Sequence, residues 1–384
     1  MHSCIFTRLL VLPLQRTAAL RIAHGVNITV SNVAVVHTSS YGVWLQGGSD
    51  NWLANLTLSD LGSGGLRIAE GSVASGNHTI RGCNISDGGH VFRAGAGIHA
   101  TRTDGNVIED NRVSGFAASG IIVRIGKYNI VRRNYVHNLG LGLLSDLGGV
   151  CFAYGTEGSI AAQNVVGGGF HPYNYGAHGM YSDMCNTGSS FVENRVWGTA
   201  TAGYQMHYGW NVIVANNSFK GGFIAKPGDS VIYANPSSTM GAAFAFINNI
   251  VLHNTNATLL QVDLNRAKAA NYTFRNNHYR ISSVGRAQFD ALGAPSDGWG
   301  DWRAIGQDAG STCDDHGAPC AKSKAICCCC WDRWSQPCNS SIQCDGGGNG
   351  CVPKGTPTNK YGPADCKCDG ISHGCGQAAI DMLN

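Results

Sequence analysis

From residue 27 to about residue 280 one short pattern keeps returning: an Asn, a short β-branched run, a gap, then Gly and a second apolar run. The clearest copies begin at Asn32, Asn55, Asn84, Asn111, Asn134, Asn164, Asn194, Asn216, Asn248 and Asn276, spaced 22 to 32 residues apart. A period in that range means stacked supersecondary units rather than one globular core. Each apolar run is only about four or five residues long, which suits strands better than helices. Glycine, 53 of 384 residues, leaves few stretches able to hold three helical turns.

Six second runs can be aligned on Gly97, Gly120, Gly149, Gly179, Gly203 and Gly222. Their first and third following residues are Ile98/Ala100, Ile121/Val123, Val150/Phe152, Met180/Ser182, Tyr204/Met206 and Phe223/Ala225. All but Ser182 are apolar or aromatic. Alternate residues of a strand share a face, so this set points inward. The second and fourth positions carry His99, Arg124, Tyr181, Asp183, Gln205, His207 and Lys226, which point out. The arrangement that satisfies this pattern is all-β: a single-stranded right-handed parallel β-helix, or solenoid, over residues 1–300. A Cys-rich irregular segment over residues 301–384 follows it. The recurring Asn is expected at the tight turn between strands. There it tolerates left-handed backbone angles, and its amide can bond the same turn of the next coil. A β-propeller would need repeats of about 40 residues with four strands each, and is set aside.

Charged residues make up 13% of the chain and the formal net charge is +3, with no basic tract. Nucleic acid is therefore not an expected partner. No run reaches the roughly 18 apolar residues of a membrane span. Residues 5–14 faintly resemble a secretion signal but are interrupted by Arg8 and Pro13. Leu20-Arg-Ile-Ala already reads as a first-coil strand, so the chain is expected to start inside its fold, lacking N-terminal coils. Eight Asn-x-Ser/Thr sequons, at Asn27, Asn55, Asn77, Asn84, Asn216, Asn256, Asn271 and Asn339, fit a secreted glycoprotein. An Asn turn followed by β-branched residues also makes sequons by accident. Twelve of the sixteen cysteines lie between Cys313 and Cys375. An even count in a segment with no apolar period points to a disulfide-stapled module in an oxidising compartment, and pairing cannot be deduced. Zinc held by Cys366 and Cys368 with His316 or His373 is the alternative, although the spacing fits no four-ligand pattern well. No metal site and no cofactor is assigned.

Outward side chains of a β-helix form columns, one residue per coil. The fourth-position column runs Arg124, Ala153, Asp183, His207, Lys226. Asp183 and His207 are adjacent rungs, about 4.8 Å apart at the backbone, within hydrogen-bond reach. The neighbouring column offers His99, Tyr181 and Gln205. Polar outward residues are ordinary on a solvated sheet; here acidic, basic, aromatic and amide groups gather over three coils. Asp146, in the Leu144-Ser-Asp-Leu-Gly-Gly loop, enters the coil directly before that of Asp183. It reads either as a turn-capping residue or as a second carboxylate. Two carboxylates across a groove are the minimal equipment for glycosidic cleavage, one as acid and one as nucleophile or base.

Several motifs are familiar as a set. Ser145-Asp-Leu-Gly-Gly-Val-Cys-Phe-Ala-Tyr-Gly, Gly179-Met-Tyr-Ser-Asp, and Gln205-Met-His-Tyr-Gly with Asn211-Val-Ile-Val-Ala-Asn-Asn occur in order, followed by Trp302-Arg-Ala-Ile-Gly-Gln-Asp-Ala-Gly-Ser. Over residues 20–312 the chain resembles the right-handed β-helix proteins of glycoside hydrolase family 141, which include α-L-fucosidase and xylanase activities. The resemblance implies that Asp146 and Asp183 are catalytic carboxylates. It implies that His207 and Tyr181 line the subsite; Gln205, Tyr154, Tyr208 and Arg124 are the further candidate substrate-binding residues. That group carries Glu directly after the second Asp, where this chain has Met184. Alternation puts Met184 on the face opposite Asp183 unless the strand ends there.

The leading expectation is a secreted hydrolase of plant or algal cell-wall polysaccharide or its side chains, with a polysaccharide or oligosaccharide as partner. A polysaccharide lyase would use Arg124, His207, Lys226 or Tyr181 as base, but the Asp/Glu clusters suited to Ca²⁺ are missing. A non-catalytic carbohydrate-binding or surface β-helix is the third reading. Carboxyl separation, which decides between retention and inversion, is not legible.

Overall fold

The computed structural model describes residues 3–4, 9–10, 18–68, 75–141, 144–171, 176–207, 209–221, 230–234, 242–254, 258–263, 272–282, 289–292, 298–315 and 318–320. It also describes six strands of two or three residues between 326 and 372. Among these residues, strands separated by one repeat pair in parallel and build three long sheets of 11, 12 and 13 strands. Three strands and three corners make one coil, and the stack is a right-handed parallel β-helix. The sheet that matters for function contains Ile98–Thr101, Ile121–Arg124, Leu147–Ala153, Ala177–Asp183 and Tyr204–Met206 in spatial order.

The inward assignment holds. Ile98, Ala100, Ile121, Val123, Val150, Phe152, Met180, Ser182, Tyr204 and Met206 are all fully buried. Phe223, Ala225 and Lys226 lie outside the described residues. The core filling changes along the axis. In the early coils it is aliphatic, with Val43, Leu45, Leu58, Ile85 and Ile108. Later it becomes a chain of rings from Phe152 through Phe191, Tyr204 and Phe244 to Phe274 and Trp302, with centroids 5.1 to 5.7 Å apart.

The recurring Gly has a steric cause. A Cβ on Gly97, Gly120, Gly149 or Gly179 would lie 2.2 to 2.3 Å from Cγ1 of Val113, Val136, Val166 or Val196 on the facing sheet. The backbone bends towards the core at this column and leaves no room for a side chain. The outer surface is correspondingly concave. On the outside of the same bend, a Cβ on Gly148 would sit 3.0 Å from Cβ of Tyr181 and 3.4 Å from Cβ of Cys151.

The expectation that one Asn both turns the chain and bonds the next coil divides between two adjacent positions. Left-handed angles fall on Asn32, Asn55, Asp110, Arg133, Gln163, Glu193, Asn216, Asn248 and Asn276, with φ of 53° to 58°. The bonding column is one residue later. Asn111, Asn134, Asn164, Asn194, Asn217, Asn249 and Asn277 are buried. In each of the first six, the backbone N–H and Nδ2 donate to Oδ1 of the next Asn, at 2.8 to 3.0 Å except for the last Nδ2 bond at 3.3 Å. Polar residues of several sizes take the left-handed turn, from Asn and Asp to Arg133, Gln163 and Glu193, but only a side chain that both donates and accepts can propagate the ladder. Asp308 ends it, accepting from Asn277 Nδ2, Ser311 Oγ, Tyr279 Oη and Trp302 Nε1 at 2.6 to 2.9 Å. A second ladder runs through Asn51, His78, Asn106, Asn129 and Ser159.

Thr312–Asp315 pairs in parallel with His278–Ile281, and a disulfide joins Cys313 to Cys320. Beyond Cys320 the described residues form short antiparallel strand pairs.

Candidate active site in a concave corner

The bend at Gly149 and Gly179 folds the outer face of two strands onto itself. Residues before the bend, Asp146 and His178, thereby meet residues after it, Tyr181 and Cys151. Register sets the columns: Ile122, Cys151, Tyr181 and Gln205 are successive rungs, as are Arg124, Ala153 and Asp183. The N–H of His207 donates to the Ser182 carbonyl at 2.9 Å, which continues the second column by one rung.

His207 and Asp183 meet as adjacent rungs should, with Nδ1 2.9 Å from Oδ1. Asp183 is 6% exposed. Asp146 sits one residue before Leu147–Ala153, is exposed, and takes a left-handed φ of 60°. Asp accepts that conformation more readily than bulkier residues. The Tyr181 hydroxyl reaches across the bend and donates to Asp146 Oδ1 at 2.9 Å. Burial, then the charges of Asp183 and Asp146, push the Tyr181 phenol far above its ordinary pKa. It therefore keeps its proton and acts as a donor.

Gln205 lies one rung beyond Tyr181, is 8% exposed, and its Oε1 has no protein partner. Arg124 and Tyr154 come together in a separate pair, with the guanidinium 5.6 Å from the ring centroid. Tyr154 is in a left-handed turn, and its hydroxyl contacts Met184 Sδ. Arg124 stands two coils from Asp183 with Ala153 between them, and its Nε is buried without a partner. Tyr208 lies outside the described residues. The strand ends at Asp183, and Met184 and Cys185 have φ of 38° and 60°. Alternation therefore does not carry on to Met184, which joins the rim beside Tyr154.

Two features were not legible in the sequence. The outward placing of Tyr181, Asp183 and Gln205 does not mean exposure: all three are buried. His178 was missed. It is 2% exposed, its ring lies 4.9 Å from that of Tyr181, and its Nδ1 has no partner. Burial pushes its pKa down to about 3, so the ring is neutral. Gly179 bends the strand, and a bend changes parity, so positions 178 and 181 share the outer side. Burial also pushes the Cys151 thiol up, which removes it as a nucleophile.

The corner thus offers two carboxylates held by different partners, a protonated phenol, a neutral imidazole and buried polar atoms without protein partners. Buried polar groups are normally satisfied, so unpaired ones concentrated in a cleft point to a ligand. Among the described residues no helix is long and apolar enough to cross a membrane.

A family model for a right-handed β-helix region matches residues 18–178. No curated protein matches the chain. Similar solved structures include an alginate lyase from Paenibacillus sp. str. FPU-7, at 17% identity and a TM-score of 0.42, covering 64% of this chain and 85% of that one. The lidless DFA-IIIase from Arthrobacter chlorophenolicus A6 aligns at 13% identity and a TM-score of 0.43, covering 70% and 64%. PfbA, a surface adhesin of Streptococcus pneumoniae, aligns at 8% and 0.41, covering 72% and 86%. Likenesses of this size bear on neither substrate nor reaction.

Proposed function

We propose that the concave corner is the active site of a secreted glycoside hydrolase of the family 141 type, acting on plant or algal cell-wall polysaccharide or its side chains. The observation that carries this reading is the different handling of the two carboxylates. Tyr181 retains its proton and holds Asp146 as an acceptor, which suits a nucleophile or base. Asp183 is buried, with Oδ1 2.9 Å from His207 Nδ1, a contact that fixes the carboxyl in place. Asp183 then protonates the leaving oxygen, and Asp146 attacks the sugar or activates water. Gln205 and His178 supply polar contacts to sugar hydroxyls.

A lyase is less well served. Tyr181 is held protonated and bound to Asp146, and Arg124 lies over Tyr154. The burial of Asp183 also suits a binding protein that no longer turns over substrate, and the test separates the two. Purified protein and its Asp146→Asn variant would be assayed on aryl glycosides, including α-L-fucoside and β-xyloside, and on wall polysaccharides. Sugar release that the variant loses, and that added azide restores, is the expected result. Release unaffected by the substitution would exclude the assignment; tight sugar binding without release by the wild type would favour the binding reading.

A further inference from the structure

A second cluster of metal-competent side chains lies on the outer edge of the early coils. Three left-handed turn residues stack there: His37, Asp60 and Asp87, with φ of 57°, 52° and 58°. The residues that follow them, Thr38, Leu61 and Gly88, are register partners on successive coils. His90 folds back beside them. Its Nε2 lies 3.0 Å from Asp87 Oδ1 and 3.6 Å from Asp60 Oδ1. One ligand atom from each of Asp60, Asp87 and His90 falls within 4.8 Å of the others. His37 Nδ1 bonds the other oxygen of Asp60, Oδ2.

We propose that Asp60, Asp87 and His90 form a binding site for a divalent first-row transition-metal ion, with His37 orienting the Asp60 carboxylate. Bond lengths of about 2.0–2.2 Å place neighbouring ligand atoms about 3.0–3.6 Å apart in octahedral or tetrahedral sites, and both measured His90 separations fit. Imidazole with carboxylates suits Zn²⁺, Co²⁺, Ni²⁺ or Cu²⁺; Ca²⁺ and Mg²⁺ favour sites built wholly from oxygen. A cation also relieves the repulsion between two carboxylates on adjacent rungs. His37 plays the part of the hydrogen-bonding partner that fixes a ligating carboxylate. All four side chains are about half exposed or more, between 48% and 67%. Water completes the coordination, and loading needs no opening of the fold. The ion links two coils from outside. Asp60 and Asp87 are 27 residues apart, and only the coil period brings them together.

The test is titration of the full chain with Zn²⁺ by calorimetry and with Co²⁺ by absorbance, beside Asp87→Asn, His90→Ala and His37→Ala. The substitutions are exposed, and circular dichroism checks that the fold is kept. The expected result is loss of one ion per chain in Asp87→Asn and in His90→Ala. His37→Ala should bind roughly 10–100-fold more weakly. The Co²⁺ site lost should lack the near-ultraviolet absorption of thiolate ligands. Unchanged stoichiometry and affinity in Asp87→Asn and His90→Ala would overturn the proposal and assign any bound ion to the cysteines. No binding by the wild type would overturn it as well.

Discussion

The same sheet carries two different outer faces. In the early coils the outward column runs Arg21, Trp44, Arg67, with the two guanidinium groups 5.2 and 5.0 Å from the Trp44 ring. Arg21 donates to Gln46. Five coils on, the same column is Cys151, Tyr181 and Gln205, buried and flanked by Asp183 and His178. Val43, Leu45, Leu66 and Ile68, beside Trp44 and Arg67, are buried as fully as the inward residues of the later stretch, and a Cβ on Gly65 would strike Ile85 of the facing sheet as one on Gly149 would strike Val166. The fold therefore dictates the interior and the bend, and leaves the exterior free. The early column is stacked where water reaches its arginines, so it costs little. The later one keeps Gln205 Oε1 and His178 Nδ1 without partners, an arrangement that costs stability in the absence of a ligand.

The comparison can be broken by substituting the two faces in parallel. The largest effect is expected in catalysis: Asp146→Asn and Asp183→Asn should each lower kcat/KM by at least about 10³-fold. Trp44→Ala should change it little. Comparable losses on both faces would end the distinction.

A second contrast sets the two ladders apart. The seven-residue ladder is all Asn, but the other contains His78, whose pKa burial lowers to about 4, against a small raising effect from Asp50. Between pH 4 and the unfolded value near 6.5, the unfolded chain binds more protons at this site. Stability is thus fullest above pH 6.5 and falls as pH drops through that window. The loss amounts to about 3 kcal/mol by pH 4. His178 acts in the same direction. Urea unfolding at several pH values should show a steeper acid loss for the wild type than for His78→Asn; equal slopes would remove His78 from the account.

The bend itself gives the third prediction. Gly149→Ala pushes a methyl against Val166 and the Gly179 carbonyl and should cost about 1–3 kcal/mol, read from the urea midpoint. An unchanged midpoint would mean that the glycine column is not needed for the concave corner. The smallest effect should come from Arg67→Ala. It removes half-buried cation–π contacts with Trp44 and Tyr41 and should cost about 0.5–1 kcal/mol.

Much of this was legible because it follows from spacing. The period named the coil, alternation placed Val150, Phe152, Met180 and Met206 inside, and adjacent rungs placed His207 beside Asp183. What spacing could not show was curvature. A Gly that recurs every coil looks like a turn residue until the facing valine is known, and the buried state of Tyr181 and Gln205 depends on that curvature. The ladder was half legible for a related reason. Asn216-Asn217, Asn248-Asn249 and Asn276-Asn277 hide two roles in one dipeptide, and only the coils with Asp110-Asn111 or Glu193-Asn194 separate them. Tyr181 reaching Asp146 was beyond sequence, since it needs the bend to bring strand start and strand end together.

The most direct test of the central claim is hydrolysis by three folded proteins side by side: the wild type, Asp183→Asn and Trp44→Ala, each on the wall polysaccharide that gives the best turnover. The account predicts sugar release by the wild type and Trp44→Ala, and near-complete loss in Asp183→Asn. Full turnover by folded Asp183→Asn would contradict it.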